Sequence, residues 1–459
     1  MNIAIALLVS SLVAYGILKK YKSQTILLIG GLSLMLFAYF LGYKTDFVPK
    51  NQATGFVIFD MFEYIQRLMI KDVAGLGIMI MTCTGFAKYM DYIGASSKMV
   101  ELAMKPLQLL NAPYLVLAGG FIVCNVMALV IPSASGLAML MMVTVFPVLV
   151  RLGISRVGAA SVVATGHILD IGPASATTLL VTKTAGVDIN QFFVERQLPV
   201  YVFVCIAGAL SHYFWQRYLD SKMEVSEPVA SVDVKVKADS SEELNPAGPA
   251  IYVILPILPL VFLLGFSQYG IKSVKMNVNL AMLLSFTIAM LFEFVRLRDF
   301  KKGAAGIQKF FKGMGDQYAN TVTLVTAGQV FAYGLTSIGF ISSVIDGSKN
   351  LGLGATAITV AMCGFIVLSS MLMGSGVASM FSFSPLVPEF AKGLGGNAAT
   401  MLQSMQNSAS LGRLLSPITA VIVAVAAIAD VSGMELVKRN SVPVIVCMVV
   451  SILGVLIMF

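Results

Sequence analysis

Charge is scarce in this chain. Only 12% of its 459 residues are charged, whereas 58% are hydrophobic, and mean hydropathy is +0.87. A soluble domain cannot bury that much apolar surface, because interior volume runs out first. Cysteine is scarce too. Cys83, Cys124, Cys205, Cys363 and Cys447 all lie inside apolar runs, and none forms a C-x-x-C pair. Such a set reads as free thiols acting as small hydrophobes, with neither metal ligation nor a disulfide framework. No H-E-x-x-H, G-x-S-x-G or phosphate loop occurs, which argues against a membrane enzyme. No basic stretch is interleaved with aromatics, so the net charge of +8 does not point to nucleic acid. No basic segment precedes the first apolar run, whereas Lys19, Lys20 and Lys22 follow it. That order is wrong for a cleaved signal peptide and right for a first spanning helix.

What the chain has in abundance is apolar runs of bilayer-spanning length, recurring from 2–18 to 441–458. Two stretches read as re-entrant hairpins. Residues 112–131 run into P-S-A-S-G at 132–136, and 353–372 run into G-S-G-V-A-S at 374–379. Both returning arms are short, and both tips are rich in small residues. Two long spans carry a break: 156–186 at Gly172-Pro173 and 401–429 at Ser416-Pro417. Proline inside a helix removes a hydrogen bond and clashes with the preceding turn. Counting each hairpin as no net crossing leaves about five spans per half. The basic residues then divide about two to one in favour of the cytoplasmic loops, as the positive-inside rule requires. Residues 220–247 are polar, of mixed charge and without a sustained amphipathic period, which marks a cytoplasmic linker or, less simply, a docking segment. The stretches 56–71 and 299–314 are amphipathic and read as surface-lying helices.

The chain repeats itself at an offset near 244. Gly120-Phe121-Ile122-Val123 falls on Gly364-Phe365-Ile366-Val367, Pro173 on Pro417, Pro199 on Pro443, Asp72 on Asp316 and Tyr89 on Tyr333. Aligned prolines and charges separate this from the general likeness of apolar sequences. An odd span count per half makes the second half inverted, an arrangement that many secondary transporters share. The fold expected is therefore an all-α polytopic membrane protein. It is an inverted repeat with about ten transmembrane helices, two re-entrant hairpins and two broken helices. The first repeat is 1–219 and the second 248–459.

Helix ends survive at membrane depth only where they line protein or a water-filled cavity. There the positive end of a half-helix attracts anions and freed carbonyls attract cations. Four small-residue clusters supply such ends: Ser133, Ala134, Ser135 and Gly136; Gly374, Ser375, Gly376 and Ser379; Gly172, Pro173, Ser175 and Thr177; and Ser416 with Thr419. Their hydroxyls suit carboxylate oxygens, although small residues also serve tight helix packing. Asn407 lies on the helix that leads into the second break. Arg413 is the one basic residue not assigned to a loop; its guanidinium suits a carboxylate, or else a backbone clamp. In G-H-I-L-D-I-G-P, His167 and Asp170 precede the first break. Asp170 is open to three roles: binding a cation, carrying a proton, or pairing with Arg413. His167 is a second coupling-ion or proton candidate, since it titrates near neutral pH when accessible, but a packing histidine is the simpler reading. Asp72 and Asp316 start spans, where a helix cap suffices.

The segments G-I-M-I-M-T-C-T-G-F-A-K-Y-M-D-Y-I-G-A (77–95), K-P-L-Q (105–108), F-P-V-L-V-R-L-G-I-S-R (146–156) and H-Y-F-W-Q-R-Y-L-D (212–220) resemble the DcuC family of anaerobic C4-dicarboxylate transporters. So do M-G-S-G (373–376), L-G-R-L-L-S-P (411–417) and V-K-R-N-S-V-P-V (437–444). The resemblance implies an elevator-type homodimer of the ion transporter superfamily in the bacterial inner membrane. It assigns scaffold helices to 1–110 and 249–335, hairpins to 112–151 and 353–391, and broken helices to 156–186 and 401–429. It implies succinate, fumarate, malate or aspartate as cargo, and no cofactor. The tips depart from the Ser-Asn-Thr of sodium-coupled relatives, which leaves H+ and Na+ both open as coupling ion. Another organic anion or an amino acid is the second cargo class; a channel or membrane enzyme is the remote third.

Overall fold

The computed structural model describes residues 2–19, 21–107, 110–222 and 248–459, so most of the expected linker, 223–247, lies outside the described residues. The regular elements among the described residues are all helices, without a strand. Among the described residues, eight helices are long and apolar enough to cross a bilayer. The pair Lys301–Ser337 and Phe340–Asn350, bent by 65°, raises this to nine if counted as one span. The expected hairpin segments form two helix–tip–helix units. One is Pro113–Ala128 followed by Ala134–Arg151; the other is Ala355–Met373 followed by Gly376–Phe383 and Val387–Leu394.

The element order repeats. Helices Ala176–Ala185 and Ala420–Ala429 start and end in register at an offset of 244 (420 − 176). Both end on a left-handed residue, Gly186 at φ 69° and Asp430 at φ 54°. π-helical turns occur at Val73–Gly77 and Tyr318–Val322, offset by 245 (318 − 73). The amphipathic helices Val57–Asp72 and Phe300–Gln317 run on through the π turns into Ile78–Tyr92 and Thr323–Ser337, which overturns one simple expectation. Asp72 and Asp316 consequently meet no free helix N-terminus to cap. Asp72 is buried instead, accepting from Thr326 Oγ1 at 2.8 Å and Gln329 Nε2 at 2.9 Å. Asp316 is exposed.

Two large apolar cores organise the molecule. One joins helices from 2–40, 76–95, 252–289 and 310–341 to the second helix–tip–helix unit and to Ala398–Gly412 as far as Ala409. The other joins the first unit and Arg156–Ala164 to Leu198–Asp220, Ala420–Ala429 and Gly433–Met458. The chain passes between these cores at both breaks. Ile168, Leu169 and Ile171 belong to the second core and Leu179 and Leu180 to the first; Ala409 belongs to the first and Leu411 and Leu414 to the second. Burial of each half-helix in a different core holds the two breaks at the seam.

A polar cluster pins one end of the second core. Arg439, counted above among loop cations, is buried within Gly433–Met458 and pairs with Asp220 at 2.8 Å. Asp220, the first residue of the expected linker, instead ends helix Leu198–Asp220 and accepts from the Ser155 hydroxyl at 2.6 Å. Ser155 in turn caps Arg156–Ala164 by accepting from Gly158 N.

Candidate functional site

The first break is wider than its Gly-Pro pair. Helix Arg156–Ala164 stops before Thr165, and the next helix begins at Ala176. The released backbone groups are caught by side chains from distant elements, which is what membrane depth demands. Ile168 N donates to Asn125 Oδ1 at 3.0 Å, Asp170 N to Ser410 Oγ at 3.1 Å and Gly172 N to Gln197 Oε1 at 3.2 Å. The Asp170 carbonyl accepts from Gln406 Nε2 at 2.7 Å, Thr177 Oγ1 at 3.0 Å and Ser175 Oγ at 3.2 Å. Gln197 and Gln406 join each other at 3.0 Å and share Thr178. Gly172, at φ 105°, turns the chain beside the Leu129 carbonyl of the first tip.

The second break is short. After Gly412 the chain makes a single 3-10 turn, Arg413–Leu415, and restarts as a helix at Ala420. Thr419 Oγ1 donates to the Arg413 carbonyl at 2.6 Å. Small residues close the second tip onto this break. A Cβ on Gly376 would collide with the Ala409 carbonyl, and one on Gly374 would sit 3.0 Å from Ile418 Cγ1.

Arg413 bridges the two breaks. Its Nη2 donates to His167 Nδ1 and to the His167 carbonyl, both at 3.0 Å, and its Nε donates to Ser410 O at 3.3 Å. Nη1 makes no hydrogen bond among the described residues. The backbone clamp thus uses part of the guanidinium and leaves part of it for a ligand. No ion pair within 4 Å joins Arg413 to Asp170 among the described residues. The Asp170 carboxylate instead accepts from Thr177 Oγ1 at 2.8 Å through Oδ2, while Oδ1 has no hydrogen-bond partner among the described residues.

Most of the hydroxyls at the four clusters also serve the helices. Ser133 and Ser375 cap the returning helices by accepting from Gly136 N and Ala378 N, which leaves each O–H proton to donate elsewhere. Ser175 caps Ala176–Ala185 through Thr178 N, and Ser379 Oγ donates to the Ile366 carbonyl at 3.3 Å. Ala134 and Ser135 begin the returning helix of the first unit, partly buried. Pro173 is buried in the first break. Asn407 Oδ1 and Ser416 Oγ are buried without a partner among the described residues. Gln197, Gln406, Thr178, Ser410 and Asn125 were not singled out from the sequence. Their signal was there: Gln406, Ser410 and Arg413 follow one another at helical i, i+4, i+7 spacing on the helix that leads into the second break.

A family profile of C4-dicarboxylate anaerobic carriers, DcuC, matches residues 1–459. The anaerobic C4-dicarboxylate transporter DcuC of Escherichia coli (strain K12) is 36% identical over 443 residues, covering 96% of this chain and 93% of that protein. The probable anaerobic C4-dicarboxylate transporter DcuC of Vibrio cholerae is 33% identical over 460 residues, covering 100% of this chain and 98% of that one. Among solved structures, MtrF of Neisseria gonorrhoeae, described with a class of antimetabolite efflux pumps, shares the fold at a TM-score of 0.62. Sequence identity is 14%, and the match covers 94% of this chain and 95% of that chain. The YdaH transporter of Alcanivorax borkumensis gives 0.57 at 13% identity, covering 94% of this chain and 97% of that chain. The chain belongs to the DcuC family of C4-dicarboxylate anaerobic carriers.

Proposed function

We propose that this protein is a secondary carrier of C4-dicarboxylates (succinate, fumarate, malate or aspartate) across the bacterial inner membrane. The observation that carries this reading is Arg413, a cation at the seam of two cores, clamped on one side and unbonded at Nη1. A guanidinium edge binds a carboxylate well. Beside it start helices Ala420–Ala429, whose cap Thr419 donates to the Arg413 carbonyl, and Gly376–Phe383, whose Gly376 lies against Arg413 Cδ; free N–H groups at helix starts favour anions. Ser133, Ser135, Ser175, Thr177, Ser375, Ser379, Asn407, Ser416 and Thr419 are the proposed polar lining. Ala134, Gly136, Gly172, Pro173, Gly374 and Gly376 shape it.

In this reading residues 1–219 and 248–459 are inverted repeats, and the two helix–tip–helix units are re-entrant hairpins. Hairpins and broken helices form a mobile body that slides against scaffold helices in 1–110 and 249–335, within a homodimer. Asp170 is the coupling site, for H+ or Na+. Its unpartnered Oδ1 also favours a cargo bearing an amino group, so aspartate belongs in any substrate panel.

Arg413→Ala tests the site. Radiolabelled succinate uptake into proteoliposomes should fall to background while the purified variant keeps its size-exclusion profile. Uptake at the wild-type rate would remove Arg413 from the site.

A further inference from the structure

His167 is one of two histidines in the chain, buried at the first break. A guanidinium has donors only, so the 3.0 Å contact from Arg413 Nη2 requires a lone pair on Nδ1. The ring proton therefore sits on Nε2, because the hydrogen bond at one ring nitrogen fixes the tautomer of the other. The second Arg413 bond, to the carbonyl of the same residue, holds the backbone and ring together as one unit. Nε2 has no hydrogen-bond partner among the described residues, although His167 is only 5% exposed. An N–H donor is thus left unpaired at the break, where a ligand can satisfy it.

We propose that His167 is a carboxylate-binding residue that acts as a neutral donor through Nε2–H and carries no proton across the membrane. Arg413 Nη1 and His167 Nε2 lie on either side of the Nη2–Nδ1 contact, each one carbon from it. One carboxylate bridges them, Arg413 supplying charge and His167 direction. The charged groups facing the imidazole are Arg413 and Asp170. This inference rests on the carrier reading above.

The test is the KM for succinate in proteoliposomes of wild type, His167→Asn and His167→Gln. Asparagine keeps an acceptor near Nδ1 for Arg413 but loses the donor. Glutamine places an N–H near Nε2. Hydrogen bonds to charged groups have a size that sets KM in His167→Asn about tenfold above wild type, with His167→Gln recovering to about threefold. A wild-type KM in His167→Asn overturns the proposal, as does an equal rise in both variants. Loss of pH-gradient drive in both would make His167 a proton carrier and overturn it too. Should His167→Asn fail to fold, His167→Gln decides alone: a modest KM rise with gradient drive intact upholds the proposal, and lost drive or a tenfold rise contradicts it. Wild type that does not transport succinate would refute the carrier reading itself.

Discussion

At the scale of residues, two groups of opposite charge meet at one seam without pairing. Arg413 clamps His167 and Asp170 accepts from Thr177, so each keeps an atom free. An ionisable group at membrane depth is costly and functional by default. If Asp170 carries the coupling proton, Asp170→Asn leaves succinate exchange running but abolishes its dependence on an imposed pH gradient. Gradient-driven uptake at the wild-type level in that variant would end the proton role. The sequence exposed these residues because apolar runs make charge conspicuous. It could not say what they touch. Arg413 and His167 are separated by 246 positions, and only the fold brings them into contact.

At the scale of elements, the breaks were legible and their extent was not. Gly172-Pro173 and Ser416-Pro417 mark interruptions by backbone chemistry alone. The first break nevertheless opens as far back as Thr165, because Asn125, Gln197, Gln406 and Ser410 offer its backbone partners outside the helix. Such capture depends on residues far away in sequence, which local pattern cannot reveal. The π turns at Val73–Gly77 and Tyr318–Val322 were invisible for a similar reason, since a one-residue change in helical winding leaves apolar periodicity almost intact. Gln406 is the knot of the network, donating to Asp170 O and to the Thr177 and Thr178 hydroxyls. Gln406→Leu should lower stability by about 1–3 kcal/mol, because it strands buried polar groups. Thermal unfolding in detergent reads this directly; a melting temperature equal to wild type would show the network to be dispensable.

At the scale of the whole molecule, the repeat was the most informative signal. The offset near 244 that aligns the two prolines also aligns two ten-residue helices and their left-handed ends. The two-core arrangement was beyond reach of the sequence, since both cores are built from the same apolar residue types. Yet it explains why the breaks face each other: each half-helix is anchored in a different core, so both interruptions fall at the boundary. In the reading proposed above, the hairpins and both breaks would move together against the scaffold helices, which is how such a fold can expose one site to either side of a membrane. The most direct test of this account is counterflow with the purified protein in liposomes. Vesicles loaded with unlabelled succinate should accumulate radiolabelled succinate transiently and saturably, with fumarate, malate or aspartate competing. Accumulation that is absent, non-saturable, or indifferent to every C4-dicarboxylate would contradict it.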